Sequence, residues 1–83
     1  MNNPDVFNTF VAVDLIPITP SDSADLPRTA RAIRCTGTSG TLRITTLSGQ
    51  VRNTAIKTDD QLLVAAIRVH ATGTTATGLE AMV

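Results

Sequence analysis

Apolar and polar residues alternate along much of this chain, and that period of two points to β-strands. In residues 41–45, Leu42 and Ile44 point to one face while Arg43 points to the other, as in a half-buried strand. Residues 46–50 then supply turn chemistry, and a second strand follows near residues 50–56. These two segments are therefore predicted to form a β-hairpin.

Residues 62–71 are predicted to form a single central strand. Leu63, Ile67 and Val69 fall on one face of this strand, whereas Val64 and Ala66 fall on the other. Because both faces are apolar at its start, we expect the strand to be central or covered on both sides.

Further strands are predicted near residues 10–16, 30–36 and 78–83, and helix is limited to one turn over residues 24–26. The fold class is all-β: a small β-sandwich or jelly-roll-like barrel of five to six short strands. Residues 1–16 are expected to be an N-terminal arm or a first strand, and residues 17–83 the β-domain. As an arm, residues 1–16 would add a strand to a neighbouring subunit.

The composition provides few large side chains for a core. The chain has 83 residues, its only aromatic residues are Phe7 and Phe10, and its single cysteine, Cys35, cannot form an intrachain disulfide. Aromatic side chains normally dominate core and interface energetics, and small domains bury a smaller fraction of their surface. We therefore expect Cys35 to be a small buried residue, the monomer to be marginal, and the protein to form a homo-oligomer.

Charge excludes several classes of partner. Seven basic residues balance seven acidic ones and are dispersed along the chain, so no basic field is available for a phosphate backbone and nucleic-acid binding is not expected. No apolar run approaches the ~18 residues that a membrane span requires. The first residues also lack the features of a secretory signal, so we expect the protein to be made and used in the cytoplasm.

Residues with catalytic or metal-binding chemistry are sparse. His70 is the only histidine, and a Ser-His-Asp site with Asp59 or Asp60 would lack the Gly-x-Ser-x-Gly elbow. One cysteine and one histidine do not make a structural zinc site, which typically uses four ligands. No catalytic residue, metal or cofactor is therefore predicted, and His70 is expected to be a strand residue or an intersubunit contact.

Asp22 and Asp25 lie among hydroxyl side chains and resemble half of a calcium site. They do not supply the six to eight oxygen ligands that Ca²⁺ takes. The alternative is a local turn, in which Pro20 fixes the backbone and the side chains of Ser21 and its neighbours bond nearby amides. We favour the turn.

Two phrases, ITPSDSADLPRTARAI at residues 18–33 and VHATGTTATGLEAMV at residues 69–83, carry a family resemblance. Together they resemble the head spike base family of gene transfer agents and related tailed phages, with looser agreement over residues 17–83. The chain departs from that family's pattern at residues 1–16 and 53–60. The matching positions are Thr19, Pro20, Ser21, Asp22, Ser23, Asp25 and Leu26, followed by Ala71 through Gly78.

The resemblance implies a structural virion protein on the capsid surface. Such a protein would form a ring, most simply a pentamer at the five-fold vertices, and would bind the major capsid protein and a spike or fibre protein. One alternative is a capsid decoration (cement) protein, a trimer at three-fold or quasi-three-fold positions. Another is a small carbohydrate-binding module, although the chain has no Trp or Tyr to stack on a sugar ring.

The same two phrases are the candidate interface. The second phrase contains only small residues between His70 and Leu79, which suit close packing against a partner, and its hydroxyls are also suited to bonding the loop's own backbone. The first phrase is expected to hold a rigid turn. The candidate interface residues are Thr72, Gly73, Thr74, Thr75, Ala76, Thr77 and Gly78, with Thr19, Pro20, Ser21 and Asp22.

Overall fold

The alternating segments form antiparallel strands in two packed sheets, as a computed structural model describes for residues 12–83. The strands are β1 (Leu15–Pro17), β2 (Ala32–Cys35), β3 (Gly40–Thr46), β4 (Val51–Ile56), β5 (Gln61–Leu62), β6 (Ala66–Val69) and β7 (Leu79–Met82). One sheet has the strand order β1-β7-β2-β5 and the other has the order β4-β3-β6. The predicted all-β sandwich is confirmed, with seven short strands in the described residues rather than five to six.

The predicted hairpin is confirmed as β3 and β4, which pair antiparallel from Gly40↔Ile56 to Thr45↔Val51. Its turn depends on Gly49, whose φ of 87° lies in the left-handed region that glycine adopts at low cost. Leu42 and Ile44 are buried while Arg43 is only half-buried. The alternation in this hairpin therefore predicts both its strands and their core face.

The prediction of one central strand over residues 62–71 is wrong. Gln61 and Leu62 pair with β2 in the first sheet, whereas β6 pairs with β3 in the second sheet. The connecting residues cross between the sheets, and the side chain of Leu63 is 77% exposed. Leu63 and Val64, which made both faces of the predicted strand apolar at its start, lie in this crossing and are exposed rather than covered.

The core between the sheets is built from aliphatic side chains. Its largest fully buried members include Ile33, Leu42, Ile44 and Val69, and Cys35 is also fully buried, as predicted. The core cluster contains four alanines and lacks aromatic residues among residues 12–83. The expectation of a marginal monomer, which rests on this shortage of large side chains, stays a prediction.

The N-terminal predictions fall partly outside the described residues. Backbone bonds join Val13 and Asp14 to Val83 and continue the pairing of β1 with β7. The arm hypothesis concerns residues 1–16, of which residues 1–11 lie outside the described part, and it stays a prediction.

The turn of helix suggested at residues 24–26 is not formed. Residues 12–83 contain no helix that is long and apolar enough to cross a membrane.

Candidate functional site

The two predicted interface segments lie side by side. The backbone N–H of Thr72 donates to Asp22 Oδ1 at 2.9 Å, and the Thr72 hydroxyl donates to Asp22 Oδ2 at 2.7 Å. These bonds hold the pKa of Asp22 below its usual value, because they stabilise the ionised carboxylate, with a smaller contribution from nearby His70. A side chain fifty residues away thus fixes the start of the second segment.

Residues 72–78, here called the threonine loop, run beside the first half of β3, on the side away from β4. They accept hydrogen bonds from the backbone N–H groups that β3 directs to that side. The N–H of Arg43 donates to Thr74 Oγ1 at 3.0 Å, and the N–H of Thr41 donates to Thr75 Oγ1 at 2.8 Å. Just before β3, the N–H of Thr38 donates to Thr77 Oγ1 at 2.8 Å. Three threonine hydroxyls therefore act where a neighbouring strand's carbonyl groups would otherwise act.

Close packing of the threonine loop against residues 37–40 requires glycines, as Gly78 and Gly40 show. A Cβ on Gly78 would lie 2.5 Å from the backbone nitrogen of Gly37, and the φ of Gly78 is 66°. A Cβ on Gly40 would lie 2.5 Å from Thr75 Oγ1. Both contacts are too short for real atoms, so these glycines allow the loop to approach the strand.

Not every residue of the threonine loop faces solvent. Ala76 is only 5% exposed and belongs to the core, so a large residue there would disturb folding before it disturbed any partner. Gly73 is exposed but has a φ of 94° and lies over the Arg43 side chain. The surface that remains available to a partner consists of the exposed faces of Thr72, Gly73, Thr75, Thr77 and Gly78.

The first segment contains the predicted turn. Ser21 Oγ accepts hydrogen bonds from the N–H groups of Ser23 and Ala24 at 3.2 and 3.1 Å, which is the local bonding expected of a serine in a tight turn. The carboxylate of Asp22 instead binds Thr72, in the second segment. Among residues 12–83, no group of three or more His, Cys, Asp or Glu side chains is placed to hold a metal ion.

His70 lies beside the junction of the two segments. Its Nε2 atom is 2.8 Å from Thr45 Oγ1 and its Nδ1 atom is 3.9 Å from Asp22 Oδ1. The order Asp22, His70, Thr45 superficially resembles a hydrolytic triad. However, 3.9 Å is too long for the orienting hydrogen bond of a triad, and Asp22 already accepts two bonds from Thr72.

Two contacts at this junction could not be found from the sequence. Arg68 forms an ion pair with Asp25, with 2.8 Å between Nη2 and Oδ1, and it also donates to the Asp22 carbonyl. The contact between Asp22 and Thr72 is the second. Both join residues that are more than forty positions apart, and only the placement of residues 21–26 along β6 brings them together.

Comparison with solved structures identifies a related chain. It comes from a structure described as the capsid of a native GTA particle computed with C5 symmetry, where GTA denotes a gene transfer agent. That chain is 41% identical to this one, and the match covers 90% of this chain and 95% of that chain with a TM-score of 0.70. The chain belongs to the family of this gene transfer agent capsid chain. No family model and no curated protein sequence matches it.

Membership of this gene transfer agent capsid family agrees with the coarser part of the sequence resemblance. The match spans 90% of the chain, so it is not confined to the two phrases that carried the resemblance.

Proposed function

We propose that the protein is a structural component of the virion, the head spike base that anchors a spike or fibre at the capsid vertices. The observation that carries the proposal is the 41% identity to a chain of a gene transfer agent capsid over nearly the whole length of both chains. Identity at this level over such coverage supports a common role in the particle as well as a common fold.

The vertex position rests on the sequence resemblance, which is to a head spike base family, and the related chain comes from a capsid whose structure was computed with C5 symmetry. A ring on a five-fold axis uses a heterologous interface, in which one patch of each subunit meets a different patch of the next. The partners in this proposal are further copies of the chain, the major capsid protein and a spike or fibre protein.

The candidate interface is the surface formed by the threonine loop and residues 19–22. Its backbone is held by hydrogen bonds that link Thr74, Thr75 and Thr77 to residues 38–43, so little conformational entropy is lost when a partner binds. Its exposed side chains are small, so a partner can approach the backbone closely.

The proposal is tested by deleting the gene and by counting the protein in purified particles. Deletion should leave closed capsids that lack vertex spikes in electron micrographs. Quantitative mass spectrometry of complete particles should find the chain at a small fraction of the copy number of the major capsid protein. A copy number close to that of the major capsid protein would instead support the cement protein, and normal spikes after deletion would refute the proposed anchoring.

A substitution at Thr19 tests the interface itself. Thr19 is exposed at the edge of the candidate surface, so Thr19→Arg adds volume and charge without removing a core contact. We expect an unchanged melting temperature and reduced incorporation of the protein or its spike into particles. Thr29→Arg, at an exposed position outside the candidate surface, is the matched control. Equal incorporation of both variants would exclude residues 19–22 from the interface.

A further inference from the structure

The edges of the two sheets differ in how well they are protected. Unpaired edge strands are templates for another chain, and proteins usually cover or interrupt them. At β1, the N–H of Leu15 donates to Oδ1 of its neighbour Asp14 at 2.8 Å. Pro17, in the same strand, has no N–H group. At β6, the outer edge is covered by backbone bonds from Ser21, Leu26 and Ala30. A third edge, β5, has only two residues.

The remaining edge, β4, is six residues long, and within residues 12–83 the contact found at its outward groups is the Thr54 hydroxyl, which donates to the Ala55 carbonyl at 3.5 Å. The N–H of Thr46 donates to the carbonyl of Gln50 across the hairpin. Because bonded and non-bonded pairs alternate along an antiparallel ladder, the N–H and C=O groups of Arg52, Thr54 and Ile56 also point towards β3. The corresponding groups of Val51, Asn53 and Ala55 point away from the sheet. No backbone partner for these outward groups is found in the described part of the chain.

The face of β4 that lies towards the core is also incompletely covered. Leu42 is fully buried, but Thr54, directly opposite it on β4, is half-buried, and Arg52 is exposed. Ile56, at the end of β4, is buried in the core, so the open part of this face is the part that carries Arg52 and Thr54. A strand added to β4 would gain backbone hydrogen bonds, and its side chains on the core side would cover this open part from beside it.

We propose that the β4 edge is completed by a second copy of this chain, which contributes the segment that precedes its β1. This inference deepens the self-association in the proposed function and rests only on that part of it. The segment comprises residues 1–11, which if extended span about 36 Å, more than the six residues of β4 require.

Three observations favour this occupant. First, β1 and β4 lie on opposite sides of the sandwich. The chain passes directly from β1 to the β6 edge, where the N–H of Ser21 donates to the carbonyl of Val69, and β4 is the other edge of that sheet. A neighbour whose β1 side meets the β4 side of this chain makes a heterologous contact, which can close into a ring. The segment of the same chain starts on the far side and would have to cross the sandwich before it could pair with β4.

The second and third observations concern the segment's composition. Its one charged side chain, Asp5, is opposite in sign to Arg52, the one charged side chain of β4. It also carries Phe7 and Phe10, the only aromatic residues of a chain whose described core has none. Large apolar side chains gain most from burial, so a covering role over the open face of β4 suits them.

The first experiment blocks the edge and leaves the hairpin intact. Asn53→Pro removes an outward N–H that β3 does not use, so the change is of the kind tolerated on edge strands. Asn53→Thr keeps that N–H and is the matched control. By native mass spectrometry of the full-length chain, we expect Asn53→Pro to raise the concentration needed for assembly on the order of tenfold or more, and Asn53→Thr to leave it unchanged. A folded Asn53→Pro variant that assembles like the wild type would overturn the proposal.

The second experiment identifies the occupant and does not depend on how Asn53→Pro folds. Full-length copies with Thr9→Cys, isotopically labelled, are mixed with unlabelled copies carrying Asn53→Cys and oxidised. Copies with Thr29→Cys, exposed on the opposite side of the sandwich, replace the Asn53→Cys copies in the control. We expect the labelled–unlabelled disulfide to form several-fold faster with the Asn53→Cys copies than with the Thr29→Cys copies. Equal rates, or no disulfide with the Asn53→Cys copies, would refute the neighbour's segment as the occupant.

Failure here is distinguishable from failure of the proposed function. An oligomer that shows the link between positions 9 and 53 but is absent from particles would refute the virion role and support this inference. A protein found at the vertices that does not form the link between positions 9 and 53 would support the virion role and refute this inference.

Discussion

Asp22 is the residue at which the two halves of the candidate interface meet. Its carboxylate accepts two hydrogen bonds from Thr72, and these bonds exist at full strength only while the carboxylate is ionised. Because the pKa of Asp22 is lower in the folded protein than its ordinary value of 3.8, this contribution to stability is present above that value. It is lost as the pH falls through the lower folded-state pKa.

The prediction at this scale is a change in acid stability. In urea titrations followed by circular dichroism, the wild type should lose stability as the pH falls below about 3.8, and Asp22→Asn should lose less over the same range. Asp14→Asn, whose carboxylate bonds its adjacent amide, is the matched control. Identical pH profiles for wild type and Asp22→Asn would show that the bonds to Thr72 do not persist in solution.

At the scale of single elements, the crossing of the chain between sheets is the feature to test. Leu42 is fully buried in β3, whereas Leu63 in the crossing is 77% exposed. Leu42→Ala should therefore lower the free energy of unfolding by about 2–5 kcal/mol, and Leu63→Ala should change it by less than about 0.5 kcal/mol. Chemical denaturation measures both. Similar losses at the two positions would restore the single central strand that the sequence pattern suggested.

The threonine loop provides a second prediction at this scale. Thr74→Val replaces the hydroxyl that accepts from the partly buried N–H of Arg43 by a methyl group of nearly equal volume. We expect a loss of about 0.5–1.5 kcal/mol of stability, and Thr74→Ser, which keeps the hydroxyl, should recover most of it. The same denaturation measurement decides, and a Val variant as stable as wild type would mean that water replaces the hydroxyl without cost.

Local patterns predicted the elements that depend on local chemistry. The alternation around Leu42 and the turn at Gly49 specify the hairpin, and Ser21 bonds the amides that its turn position suggested. The split between β5 and β6 was missed because period-two alternation does not reveal a change of sheet when both faces are apolar. The bond between Asp22 and Thr72 was missed because it depends on tertiary placement, which no spacing in the sequence encodes.

At the scale of the whole molecule, the two sides of the sandwich are unequal. One side has the protected β1 edge, where Asp14 bonds the N–H of Leu15, and the other has the open β4 edge. Such asymmetry suits a subunit whose neighbours on its two sides contact different patches, as in a closed ring. Composition led to the expectation of a partner, since the aliphatic core is thin, but it gave no indication of which edge a partner would complete.

The most direct test of the central claim is a reconstruction of the intact particle by electron cryomicroscopy, refined with symmetry relaxed at the vertices. We predict density for the seven-stranded sandwich around each spike-bearing five-fold axis, with the threonine loop of every copy in contact with a neighbour or partner. The same density at three-fold or quasi-three-fold positions, or particles that bear spikes without it, would contradict the account.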